Sequence, residues 1–132
     1  MPFDQAPGES ISRFIFDGSK IRTSDNTPKH TAFVPLPNGR LSIFWTSDLT
    51  EDEIWTICNT YVASQVGKPV KARADLNSLV VYAQNLTINI DGVPHERHGN
   101  IEGWDVSTNA RLQSIKLAEA AGALKLPPGP VA

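Results

Sequence analysis

Apolar and polar positions along this chain change their period several times, and each change marks a predicted element. Residues Ile11 to Phe16 approach the two-residue alternation of a strand, closed by Asp17-Gly18. Residues 17–30 are almost wholly polar and hold Asp25-Asn26-Thr27-Pro28, so an exposed loop is expected. Ala32-Phe33-Val34 is a short apolar run bounded by Pro35 and Pro37, and Leu41-Ser42-Ile43-Phe44-Trp45 follows the turn Pro37-Asn38-Gly39-Arg40. Two apolar runs across a glycine turn predict a hairpin, and the prolines put its first strand at a sheet edge.

A helical period then takes over. Thr50 and Glu53 have the spacing of a capping box, and Leu49 and Ile54 that of a hydrophobic staple. Ile54, Ile57, Cys58, Tyr61 and Val62 make one apolar stripe, ended by Gly67 and Pro69, so a helix is predicted over 50–66. Val70 to Arg73 is a short strand. Asp75 is the expected cap of a second helix, because Leu76, Leu79, Val80 and Ala83 recur at helical spacing. Leu86 to Ile90 alternates as a strand. A strand, short helix and strand form a compact crossover, which predicts a parallel pair. Ser107 or Asp105 caps a last helix carrying Leu112, Ile115, Leu117, Ala118 and Ala121, with Gly122 at its end. The sum is an α+β protein: a single compact domain over 1–132, with a small mixed sheet of four to five strands and about three helices. Residues 1–10 and 125–132 are expected to be loose tails.

Composition narrows the setting. A chain of 132 residues is one domain in size and needs no disulfide or metal to bury a core. Its 14 acidic and 12 basic side chains leave a net charge of −2, which disfavours nucleic acid held mainly through phosphates. Cys58 is the single cysteine, so no internal disulfide forms and a cytoplasmic location is expected. The first residues lack the pattern of a signal peptide, and no apolar run reaches the ~20 residues of a membrane span. No cofactor motif stands in the chain.

Candidate chemistry concentrates in Asp91 to Asp105, a stretch without helix or strand period that holds His95, Arg97, His98 and Asn100. Histidine titrates near neutrality and arginine clamps oxyanions, so His95 and His98 are candidate acid/base groups, with Arg97 and Arg73 as anion clamps. Asn100 and Arg13 are candidate binding residues. Gly99 to Trp104 reads as a rigid turn anchored by Ile101 and Trp104. Two histidines three apart could share a metal, but the third ligand would have to be His30, Cys58, Asp91 or Asp105, and the spacing singles out none, so no metal site is assigned. Cys58 lies on the helical apolar stripe and belongs to the core. Trp55 falls off that stripe and is either a second packing face or an anchor for a partner.

The order of Ala32-Phe33-Val34-Pro35, Leu41-Ser42-Ile43-Phe44, Glu53-Ile54-Trp55, Ala72-Arg73-Ala74-Asp75 and Arg97 to Trp104 resembles a family of small uncharacterised bacterial and phage proteins. That resemblance covers about residues 11–122. It implies a prokaryotic protein and gives no residue a role. Two function classes follow. The first is a non-enzymatic protein-interaction or accessory module of a bacterial or phage system, with a protein partner or self-association. The alternative is a small metal-independent hydrolase or ribonuclease acting on a phosphodiester or nucleotide.

Overall fold

Five antiparallel strands carry most of the chain's apolar alternation in a computed structural model that describes residues 8–105 and 109–128. They are β1 (Ser10–Ile15), β4 (Leu41–Trp45), β5 (Ala72–Asn77), β6 (Thr87–Ile90) and β7 (His98–Glu102), in the order β5-β1-β4-β7-β6. A two-stranded ladder, β2 (Ile21–Arg22) with β3 (Thr27–Pro28), lies in the polar segment after β1. Three helical stretches complete the α+β domain among the described residues. Helix α1 runs over 51–66, with a π segment at Cys58–Ala63, while α2 is Ser78–Ala83 and α3 is Ala110–Ala121.

Helix α1 begins as its sequence predicts. The Thr50 hydroxyl accepts from the Glu53 amide at 3.2 Å, and the Glu53 carboxylate accepts from the Thr50 amide at 3.0 Å. Gly67 ends it in the left-handed conformation.

Alternation splits the sheet into two faces. Ile11, Ile15, Leu41, Ile43, Trp45, Ala72, Ala74, Leu76 and Ile101 face one core, closed by Phe33, Leu117 and Ala118. Phe14 and Phe44 face the other, under Ile54, Trp55, Ile57 and Cys58 of α1. Among the described residues this second cluster includes nothing from β6 or β7. Helix α1 therefore covers the β5-β1-β4 half of its face and leaves the β7-β6 half with a polar surface.

Four expectations are corrected. Ala32-Phe33-Val34 is no strand: His30–Phe33 form a 3-10 turn. Side chains satisfy its carbonyls, with Arg13 Nε donating to Ala32 O at 2.9 Å and Ser114 Oγ to Phe33 O at 2.8 Å, so no ladder is needed. Strand β4 is accordingly central, between β1 and β7. Asp75 lies within β5 and caps nothing, because its carboxylate is drawn to Arg73. Asn77 caps α2 instead, accepting from the Leu79 amide at 2.9 Å. The expected parallel pair is absent from the described sheet, since β5 pairs with β1, β6 with β7, and both are antiparallel. The strand that captures β6 is β7, in the segment read as an aperiodic turn.

Strand β7 escapes its sequence because Gly99 and Asn100 are poor strand formers. Packing requires the glycine: a Cβ at Gly99 would sit 2.7 Å from Ile90 Cδ1 and 2.9 Å from the Asn89 carbonyl. Of the two proposed caps for α3, Ser107 lies outside the described residues. The Asp105 carbonyl accepts from the Asn109 and Ala110 amides at 3.0 and 2.7 Å, and Gly122 ends the helix. The chain is already held at Gly8, whose amide donates to Ser78 Oγ, and still held at Lys125, whose backbone pairs with Arg73.

Candidate functional site

On the α1 face, Ser42 pairs across from Asn100 and Phe44 from His98. Ser42 and His98 are thus diagonal neighbours on adjacent strands, a separation that a histidine spans. Ser42 Oγ lies 2.7 Å from His98 Nε2, and His98 Nδ1 lies 2.6 Å from Asp91 Oδ1. Asp91 follows β6 directly and turns back over β7. Its other oxygen accepts from Asn100 Nδ2 at 3.1 Å, and Oδ1 also accepts from the Val93 amide at 3.2 Å. Phe44 meets the imidazole edge-on at 5.1 Å between centroids. Both ring nitrogens and one ring flank are therefore fixed.

Partial burial would raise the Asp91 carboxyl, but the hydrogen bonds from His98, Val93 and Asn100 outweigh it and hold the group below the ordinary carboxylate range. An ionised Asp91 places the imidazole proton on Nδ1. Nε2 is then the acceptor for the Ser42 hydroxyl. The side chain of His98 is 13% exposed and that of Asp91 is 39% exposed, so the row is sheltered yet not sealed.

Ser42 also lines a cavity of about 420 Å³ between the end of β1 and the C-terminal turns of α1. Arg13, Phe14, Phe16, Val62 and Lys68 are among its other walls. Arg13 Nη1 donates to the Ser42 carbonyl at 2.9 Å.

The remaining predicted residues divide differently. His98 and Asn100 join one network, and Arg13 braces its serine from the neighbouring strand. His95 is separate: its Nδ1 accepts from the Arg97 amide at 3.1 Å, and its ring stands edge-on to Tyr61 at 5.0 Å. Arg97 is buried and grips Asp48 through both terminal nitrogens, which lowers the Asp48 carboxyl. Arg73 is buried under α1, bound to Asp75 and Glu51. Neither arginine therefore faces His98 as an anion clamp; the carboxylates they neutralise hold them elsewhere. Trp55 is 5% exposed and stacks on Arg73 at 5.1 Å, so it is a core residue rather than a surface anchor. Cys58 is fully buried, and burial pushes its thiol up to about 12, which removes thiolate character at neutral pH.

Two members of the network had no assigned role in catalysis. Asp91 enters the sequence reading only as a strand stop and a possible metal ligand, and Ser42 only as the polar member of an alternating strand. The available signal was that alternation: it puts Ser42 on the face opposite Leu41 and Ile43. Among the described residues no group of three or more His, Cys, Asp or Glu side chains is placed to hold a metal ion. No helix among them is long and apolar enough to cross a membrane. Comparison with protein-family models, with curated proteins and with solved structures returned no match to this chain.

Proposed function

We propose that this protein is a small metal-independent hydrolase acting on acyl compounds, with Ser42 as nucleophile, His98 as general base and acid, and Asp91 as the group that orients His98. One observation carries the reading: an unbroken chain from a serine hydroxyl through both imidazole nitrogens to a carboxylate, at 2.7 and 2.6 Å. A nucleophile within hydrogen-bond reach of a base, itself oriented by a third group, is the general arrangement for activating a serine. Ser42 Oγ attacks the acyl carbon as its proton passes to Nε2. His98 then gives that proton to the departing alcohol or amine. A water molecule repeats the cycle, passing its proton through His98 and releasing the acid. Asp91 stabilises the imidazolium formed at each stage and stays ionised throughout.

This reading changes the expected hydrolase in one respect. The nucleophile is placed on the protein, and the susceptible bond is taken as an acyl bond in place of a phosphodiester cut by two histidines. The interaction module, the first of the two function classes expected from the sequence, loses Trp55 as its surface anchor, because that side chain is buried. A cytoplasmic setting remains part of the proposal, supported by the lone, buried, unpaired Cys58.

The test is covalent labelling with a fluorophosphonate probe, followed by peptide mapping. Wild type is expected to carry the label on Ser42, and Ser42→Ala to carry none. Hydrolysis of p-nitrophenyl acetate is expected to fall by roughly 10³-fold or more in Ser42→Ala and in His98→Ala. Equal labelling of Ser42→Ala, or a wild type inert to probe and ester alike, overturns the proposal.

A further inference from the structure

Strand β1 runs to Ile15, but its pairing with β4 is confined to Ile11 with Trp45 and Ser12 with Phe44. Beyond that point the two strands part, and the side chain of Arg13 fills the gap. Its Nε donates to Ala32 O and its Nη1 to Ser42 O, both at 2.9 Å. Both partners are neutral carbonyls. Among the described residues no carboxylate pairs with Arg13, and Nη2 makes no hydrogen bond. The contrast with Arg73 and Arg97 is plain, since each of those holds at least one carboxylate.

Arg13 is half-buried, and a cation partly withdrawn from water without a counter-ion is costly, so proteins ordinarily pair such charges. Burial lowers Arg13 to about 10, which still leaves it charged at neutral pH. The cavity it lines also holds Lys20 and Lys68, so its field is positive. Asp17 is the acid on that wall, and its carboxylate is already engaged by the Ser19 amide at 2.9 Å, at the start of the Gly18–Lys20 turn. Phe14, Phe16, Val62 and Val66 give the same cavity an apolar lining. Ser42 lines the same cavity as Arg13, whose Nη1 holds the Ser42 carbonyl, so the positive field lies beside the residue that carries the nucleophile.

We infer that the cavity binds an oxyanion group, a carboxylate or phosphate, borne by the acyl substrate that Ser42 attacks. This rests on the hydrolase reading and deepens it: the substrate is an anionic acyl compound with a short apolar segment between its anionic end and its scissile carbonyl. The anion completes the hydrogen bonding of Arg13 and supplies the missing counter-charge. Arginine suits this role because its planar fork presents two donors to one oxyanion.

The test compares two esters with one leaving group, neutral p-nitrophenyl acetate and anionic mono-p-nitrophenyl succinate. Wild type is expected to show a KM roughly tenfold or more lower for the anionic ester, with succinate or inorganic phosphate competing. Which of the two competes more strongly tells a carboxylate site from a phosphate site. Arg13→Met is expected to raise the KM of the anionic ester roughly tenfold to a hundredfold, with a smaller change in kcat. Because Arg13 also braces two carbonyls, Lys20→Ala/Lys68→Ala provides a second variant at the rim, with a shift in the same direction and of smaller size.

Equal KM values for the two esters in wild type, with no competition by succinate or phosphate, overturn the inference. Calorimetric titration of Ser42→Ala with phosphate and with succinate separates the two layers. Anion binding there, with Ser42 of wild type inert to the fluorophosphonate, sinks the hydrolase reading and supports the anion site by itself. A reactive Ser42 with no anion binding sinks the inference and supports the hydrolase reading.

Discussion

Arg73 and His98 stand on the same face of one sheet, each bonded to an aspartate, and their surroundings make them different devices. Arg73 lies under α1 with its side chain 2% exposed, and its Nε and Nη2 reach Asp75 at 2.8 Å while Nη2 also reaches Glu51 at 2.7 Å. Asp75 in turn accepts from Ser12 Oγ at 2.6 Å, and Ser12 bonds Thr46 at 2.7 Å. That network ties β5, β1 and the start of α1 together around a buried guanidinium, and ends in the buried hydroxyls of Ser12 and Thr46 on one side and the exposed Glu51 on the other. The His98 row runs from β4, at the edge of the α1 cover, to the uncovered β7, and it ends on a serine that lines a cavity. Cover turns a charged network into a clamp, whereas an open end leaves one available for chemistry.

The contrast can be broken most sharply at Arg73. Arg73→Ala strands Asp75 beside buried hydroxyls and removes the link to α1, so a stability loss of about 3–5 kcal/mol is expected in urea unfolding. Unchanged unfolding combined with lost ester hydrolysis would make Arg73 the functional arginine and reverse the comparison.

A smaller effect is expected at Gly99→Ala. The added methyl meets Ile90 and the Asn89 carbonyl, an overpacking cost of about 1–3 kcal/mol. The same shift displaces β7 against β6 and pulls His98 away from Asp91. Fluorophosphonate labelling is therefore expected to slow more in this variant than in a surface substitution of equal stability cost; equal slowing would show that the row tolerates displacement.

Asp91 gives the finest discrimination. Its folded carboxyl titrates below its unfolded value of about 3.9, so the stability it contributes is fully present above that pH and is lost as pH falls through the lowered value. The stability difference between wild type and Asp91→Asn is expected to shrink as pH falls below ~4. A difference that holds constant or grows below pH ~4 contradicts the hydrogen-bonded, ionised state of Asp91.

Several elements were legible without coordinates because their signals are local. The Thr50–Glu53 box, the stripe from Ile54 to Val62 and Gly67 define α1 within one stretch of chain, and the alternation of β1, β4 and β6 depends only on neighbouring residues. The site was half legible. His98 and Asn100 stand out by type, whereas Ser42 and Asp91 belong to the commonest polar residues and acquire meaning only by meeting His98. His95, Arg97 and Arg73 stand out equally by type, yet Tyr61, Asp48 and Asp75 engage them.

What the chain alone determined, then, is its α+β class, its main helix, the strands with clean alternation and the short list of residues able to do acid–base chemistry. Tertiary structure decided which strands pair, and with that the site. Strand β7 is held by its neighbours β4 and β6 rather than by its own propensities, so its register is a property of the sheet. That register puts Ser42 one step from His98 and turns Asp91 back onto the ring. The same sheet parts β1 from β4 around Arg13 and leaves a half-buried charge with no carboxylate paired to it among the described residues. Hydrogen-bond chains and uncompensated charges depend on distance in space, and residues 13, 42, 91 and 98 are near one another only after the strands have paired.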